Sequence, residues 1–302
     1  MAPIRVGIVG LSASPGGSGW AKETHLPYLQ ASPAYEITGI LNSTLESSQE
    51  AVRAFKLTDT AKPFPDIETM AADPDIDLIT VCVEVKSHAH FVKVALEHSK
   101  HVYCEWPLAK DLKETEELAA LAKSKGIQGY VGLESRLSPV SVKLRELLSE
   151  SIIGKVLSTD VTGTLGTPPK IWSEKALFYL DVNSGQSPLH TRFGHFLDAF
   201  CFIVGELDEF TSLLATHEKE VKVYDVAVPL LAQAATNPDA TSRMVQRTSP
   251  DEILIHGKLT SGALTSLHIR SGSTDADGNN LRWLITGTEG VIEVTQKAGQ
   301  FL

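Results

Sequence analysis

Moving a proton at a carbon–oxygen bond needs a side chain that titrates near neutral pH, and the stretch FGHFLDAF supplies one in His195. His190 and Thr191 shortly precede it, and Tyr179 and Asp181 lead into the Gly/Ser turn NSGQS (183–187). Hydroxyl and imidazole groups at these positions suit hydrogen bonding to a small alcohol or carbonyl. Arg136, in LESRLSP, suits an anion or substrate, and equally a surface salt bridge. In HVYCEWPLAK (101–110) a strand-like run delivers Glu105, Trp106 and Pro107 to its end. Glu105 can accept a hydrogen bond. Trp106 cannot move a proton, but its indole offers a broad apolar face for stacking on a ring or flooring a pocket.

A different chemistry is written near the amino terminus, in VGIVGLSASPGGSGWAKETHLPYL (6–29). Gly7 and Gly10 are expected at a strand end, followed by Leu11, Ser12 and the glycines 16, 17 and 19, with a helix beginning near Trp20. Glycines there let a backbone approach a pyrophosphate, and the helix start supplies N–H donors. The spacing is longer than G-x-G-x-x-G. At the end of the second apolar run, Asn42 and Ser43, followed by Thr44, offer no carboxylate for a ribose 2′-hydroxyl and no arginine for a 2′-phosphate. The cofactor is therefore read as NAD(P), with a lean to NADP. Val83 closes the third apolar run, and His88 is placed to cap the next helix or shape the cofactor site.

These residues need a scaffold. Apolar runs at 4–9, 35–41, 77–83, 101–105 and 129–133 alternate with helical patterns at 21–31, 45–55, 89–98 and 112–125. Buried strands separated by helices predict a doubly wound parallel sheet. After a helix at 138–150 the pattern becomes strand-rich, at 155–166, 209–217, 252–259, 263–269, 281–286 and 291–295. The tetrapeptide GTEG (287–290) predicts a hairpin turn, 189–204 a buried helix and 233–249 a surface loop. The reading is α/β: a Rossmann-type domain over 1–137, then an α+β domain over 138–302 with an open, mainly antiparallel sheet.

Composition narrows the function classes. A formal charge of −10, from 27 Lys and Arg against 37 Asp and Glu, disfavours nucleic acid and anionic membrane. Three cysteines without a CxxC pair give neither a disulfide framework nor a zinc site, and no metal motif is present. The amino terminus runs straight into a strand pattern, and the apolar stretch 196–204 is too short to cross a bilayer. The expectation is a soluble cytoplasmic protein, with the nucleus admitted for a regulator.

Taken together, the phosphate loop with HLPYL, the segment DLITVCVEVKSHAHFVKVALEHSKHVYCEWPLA, and YVGLESRLSP, FGHFLDAF and GTEGVIEV resemble the Gfo/Idh/MocA family (glucose–fructose oxidoreductase/inositol dehydrogenase) over essentially the whole chain. The resemblance implies an NAD(P)-dependent oxidoreductase acting on a sugar, polyol or secondary-metabolite alcohol. His195 would be its acid/base, and Glu105 and Trp106 would stand beside the nicotinamide. Arg136, Tyr179, His190 and Thr191 would border the substrate. Two departures matter. Trp106 occupies the position of the family lysine, and Thr191 that of the family aspartate four residues before the histidine. Both departures, the long loop and RTSPDEILIHG (247–257) resemble a branch of that family, the galactose-regulon repressors of yeasts. That branch implies the alternative: a dinucleotide-sensing regulator that binds an activator protein and turns nothing over. Members usually run on past a strand like VIEVTQ, so a last stretch of the second domain is expected to be missing. The open sheet is expected to support a homodimer or higher oligomer.

Overall fold

The computed structural model describes residues 2–14, 19–164, 169–272 and 277–297. The chain divides into two compact units after Gly132.

The first unit runs β1 (Ile4–Val9), α1 (Leu26–Ala31), β2 (Tyr35–Leu41), α2 (Leu45–Ala54), β3 (Lys62–Phe64), α3 (Ile67–Ala72), β4 (Leu78–Val81), α4 (Val85–Glu97), β5 (His101–Glu105), α5 (Leu112–Lys125) and β6 (Gly129–Gly132). All strands are parallel, in the order β3-β2-β1-β4-β5-β6. Apolar residues on both faces of the strands bury against helices. One layer gathers Met70, Ile79 and Leu96, the other Ile8, Leu11 and Ile40. The helices begin where the sequence caps them: Thr44 and Ser47 form a reciprocal capping box on α2, and Asp66 and Asp111 accept the backbone N–H of Thr69 and Glu114. The strand order reverses between β1 and β4, so the crevice beyond their carboxyl ends is the place for a dinucleotide.

The second unit continues with α6 (Pro139–Ser149), β7 (Val156–Thr164), β8 (Ile171–Ser173), α7 (Gly194–Val204), β9 (Leu207–Ala215), β10 (Glu220–Tyr224), α8 (Leu231–Thr236), β11 (Ser242–Gln246), β12 (Glu252–Leu259), β13 (Leu264–Arg270), β14 (Asn279–Gly287) and β15 (Val291–Lys297). Its main sheet has the order β15-β14-β7-β13-β12-β9 and is antiparallel except for β13 against β7. A smaller sheet joins β11, β10 and β8. Alternate residues of β14, Leu281, Trp283 and Ile285, point into a core that includes Phe196 and Phe200 of α7. The Trp283 indole N–H is satisfied there, donating to Thr159 Oγ1 at 2.5 Å. The turn of GTEG closes with Gly287 N–H donating to Gly290 C=O at 2.8 Å.

Three readings of the sequence change. The stretch 233–249 is not one loop: it holds the end of α8 and the edge strand β11, whose Arg243, Met244 and Gln246 leave no apolar alternation to detect. The three-residue strands β3 and β8 were too short for a periodic signal. The helix expected over 189–204 is a π-helical turn, Leu189–Phe193, running into α7. The strand expected over 155–166 is described from Val156 to Thr164, and Gly166 lies outside the described residues. No described helix is long and apolar enough to cross a membrane.

Candidate functional site

In the first unit the sequence-predicted cofactor residues gather at the carboxyl ends of β1, β2, β4 and β5. Gly10 has φ +98°, and a Cβ there would lie 2.3 Å from the Cys82 carbonyl oxygen. Only glycine fits such an approach between the β1 and β4 ends. Its N–H donates to Leu41 C=O at 2.9 Å, closing the loop over β2. Asn42 braces the same loop, its side-chain amide donating to Leu11 C=O at 2.8 Å, while the Leu11 side chain is fully buried. Ser12, Gly19 and the exposed Trp20 flank the loop, and Ser43 is exposed beside Asn42. Glycines 16 and 17 lie outside the described residues. Gly7 lies inside β1, where a Cβ would come 2.9 Å from Met70 Cε, so it serves core packing.

The other end of this crevice is built around Glu105. A π-helical turn, Ala21–His25, presents His25, whose Nε2 hydrogen-bonds Glu105 Oε1. A carboxylate only accepts, so the imidazole Nε2 carries the proton. Gly132, at the end of β6, leaves room for this group: a Cβ there would lie 2.9 Å from both Glu105 Oε2 and Tyr103 Oη. His25 also meets the Tyr103 ring edge-on, with centroids 5.2 Å apart. Trp106 is half-buried and joined to Pro107 by a cis peptide bond. His88 is buried, its ring nitrogens 2.8 Å from Pro107 C=O and 3.0 Å from Val83 C=O. Burial pushes its pKa down, and a neutral ring donates to only one of these two carbonyl oxygens, its other nitrogen lying against the second with no hydrogen to give.

A ring nitrogen of His25, Sγ of Cys82 and a carboxylate oxygen of Glu105 lie within 4.8 Å of one another. The sequence pointed to no such grouping. Burial, with the Glu105 charge, pushes the Cys82 thiol far above its ordinary range, and His25 and Glu105 already satisfy each other. The cluster is therefore read as a hydrogen-bonded acid pair beside a thiol. A dinucleotide fits the residues present: a glycine-only cradle at Gly10, a braced loop, and a carboxylate at the β5 end.

The second unit forms its own cluster. The 3₁₀ turn Glu134–Leu137 meets α7 twice. Glu134 Oε2 stands 3.8 Å from His195 Nδ1, and Arg136 grips Asp198 through Nε at 2.7 Å and a terminal nitrogen at 2.5 Å. Arg136 is thus committed to a bidentate pair, and Asp198 raises its pKa further. The π turn just before α7 holds His190, whose Nδ1 lies 3.0 Å from the Oγ of fully buried Ser187. Burial lowers the His190 pKa and keeps the ring neutral. The Thr191 hydroxyl donates to Ser187 C=O at 3.2 Å. Tyr179 packs between Trp172 and Phe178, at centroid distances of 5.8 and 5.1 Å, and Asp181 accepts from Asn183 N–H and the Thr248 hydroxyl.

Sequence reasoning missed His25, Cys82, Glu134 and Ser187. HLPYL and LESRLSP were both singled out, yet the partners lie far away in sequence, 80 residues for His25 and Glu105. The available signal was indirect: a histidine just after the phosphate loop and a carboxylate just after the last strand of the first unit.

Comparison with known proteins follows the same division. The profile of the oxidoreductase family with an NAD-binding Rossmann fold (Gfo/Idh/MocA) matches residues 4–133, and that of the Gal80p C-terminal domain matches 139–296. Dehydrogenase aclE of Aspergillus oryzae is 32% identical over 96% of this chain and 76% of its own length. The galactose/lactose metabolism regulatory protein GAL80 of Kluyveromyces lactis is 30% identical over 98% of this chain, which spans 65% of that relative's length. The crystal structure of a super-repressor mutant of Gal80p from Saccharomyces cerevisiae has a TM-score of 0.86 and 29% identity, covering 99% of this chain and 76% of that one.

Proposed function

The chain belongs to the Gfo/Idh/MocA oxidoreductase family, with a second domain of the Gal80p C-terminal type, and on that premise we propose that it is an NAD(P)-dependent oxidoreductase acting on a CH–OH or carbonyl group. The substrate class is a sugar, polyol or secondary-metabolite alcohol. The observation that carries this reading is the His195–Glu134 pair: a titratable imidazole, a quarter exposed, with a half-exposed carboxylate 3.8 Å from Nδ1. A bound dinucleotide supplies or takes the hydride. His195 takes or gives the hydroxyl proton, Glu134 stabilises the imidazolium that forms, and His190 orients the substrate as a neutral ring. Trp106 adds aromatic surface where the family carries lysine, which favours a larger or less hydroxylated substrate than a hexose. The β2 end lacks a carboxylate that would repel a 2′-phosphate, which supports NADP(H). The outward face of the second unit's sheet, with exposed Leu213, Asp160, Thr162 and His256, is assigned to self-association. The cytoplasm is the proposed location.

One observation favours a second reading, a dinucleotide-sensing regulator that binds a protein partner. At the two positions where the family carries lysine and aspartate, Trp106 has no titrating group and the Thr191 hydroxyl is spent on a backbone carbonyl. The test is a tracer experiment. The chain, loaded with NADPH or NADH deuterated at nicotinamide C4, is offered an extract of its source cells, and mass spectrometry seeks protein-dependent label. A labelled metabolite is the expected result. Binding without label in any extract overturns the enzyme in favour of the sensor.

A further inference from the structure

Glu105 stands at the carboxyl end of β5, on the far side of the strand reversal from the phosphate loop. In a doubly wound sheet of this order, that half of the crevice takes the second nucleotide of a dinucleotide, here the nicotinamide. The charge found there is negative. His25 donates to Glu105 from an imidazole, both side chains being only 15% and 14% exposed. A neutral imidazole donor leaves the carboxylate's charge in place. The reach of that charge is visible on three neighbours, since Glu105 acts to raise the pKa of Cys82, Cys104 and His88 alike. The next residue, Trp106, brings no positive charge, and an indole face attracts cations.

The two redox forms of a nicotinamide differ in one respect that such a site can read. The oxidised ring is a pyridinium with a formal positive charge, and the reduced dihydropyridine is neutral. We propose that Glu105, held by His25 and flanked by Trp106, is a specificity determinant that makes this chain prefer the oxidised dinucleotide over the reduced one. The inference rests on the dinucleotide reading above and holds whether the chain is an enzyme or a sensor. In a sensor it would supply the signal, because occupancy would follow the ratio of oxidised to reduced cofactor. In an enzyme it would favour the direction that starts from the oxidised form. A partly screened contact between two unit charges changes a binding constant by about five- to tenfold.

The test is equilibrium binding, independent of turnover. Dissociation constants for NAD⁺, NADH, NADP⁺ and NADPH are measured by calorimetry on the full chain at about pH 8, above the ordinary histidine range. The native chain is expected to bind each oxidised form about five- to tenfold more tightly than its reduced partner, and Glu105→Gln to bring that ratio to about one. Trp106→Lys, which places a cation beside the carboxylate, is expected to lower the ratio by a similar factor and serves alone if Glu105→Gln fails to fold. Binding with a ratio that neither variant moves overturns the charge assignment and leaves the dinucleotide reading standing. Failure of the native chain to bind any of the four nucleotides overturns both.

Discussion

Each unit of this molecule sets a histidine against a carboxylate beside a π-helical turn, and the two pairs differ in the property that decides their chemistry. His25 and Glu105 are in direct hydrogen-bond contact, each about one-seventh exposed. His195 and Glu134 stand 3.8 Å apart, with 26% and 52% of their side chains exposed. The first pair is satisfied internally and acts as a fixed charge at the end of a parallel sheet. The second is the pair to which we assign the movement of a substrate proton. Sequence motifs alone treat both histidines alike.

The comparison can be broken at several points. The largest effect on dinucleotide affinity is expected at the cradle that serves the first pair's crevice. Gly10→Val puts a side chain where a Cβ already comes within 2.3 Å of Cys82 C=O and demands φ +98° of a β-branched residue. Strain of about 1–3 kcal/mol in the bound loop corresponds to roughly a 5- to 150-fold loss of dinucleotide affinity, read by calorimetry. A smaller effect belongs to the open pair. Glu134→Gln removes the carboxylate but keeps the shape, and an exposed ion pair of this kind changes turnover by about two- to fivefold, with dinucleotide affinity unchanged. A larger change in affinity than in turnover would show that Glu134 belongs with the cofactor.

The smallest effect concerns acid stability of the first unit. Arg5 donates to the Asp77 carboxylate through Nε at 2.9 Å and a terminal guanidinium nitrogen at 2.8 Å, and its backbone N–H donates to Asp77 Oδ2 at 2.9 Å. That pairing holds the Asp77 carboxyl down at about 2, against 3.8 ordinarily. A carboxyl with a depressed folded-state pKa takes up more protons when unfolded, so it stabilises the fold above pH 3.8 and loses that contribution as pH falls toward about 2. Asp77→Asn should flatten the fall in melting temperature across that window and leave the neutral-pH binding of dinucleotide unaltered.

What could be read from the sequence follows from how each feature is encoded. Strands such as Tyr35–Leu41 and Leu78–Val81 are buried on both faces and flanked by helical patterns, so the parallel sheet was legible from local apolar runs. The three-residue strand Lys62–Phe64 and the polar edge strand Ser242–Gln246 owe their existence to a neighbour's hydrogen bonds, and no local pattern announces that. The site divides in the same way. Gly10, Glu105 and His195 carry their chemistry in residue type and position, whereas the roles of His25, Glu134 and Ser187 arise only when the fold supplies a partner. Arg136 shows the converse. Its type suggested a ligand for an anion, and the fold assigns its guanidinium to Asp198.

We propose a division of labour: the closed pair serves the dinucleotide and the open pair moves the proton. It is tested most directly by following deuterium from C4-labelled cofactor into product with the native chain and His195→Asn side by side, at matched cofactor occupancy. The account predicts that His195→Asn binds the dinucleotide as the native chain does and transfers label about 10²- to 10⁴-fold more slowly. Equal transfer by both chains would contradict it, and would move the proton-handling role away from His195.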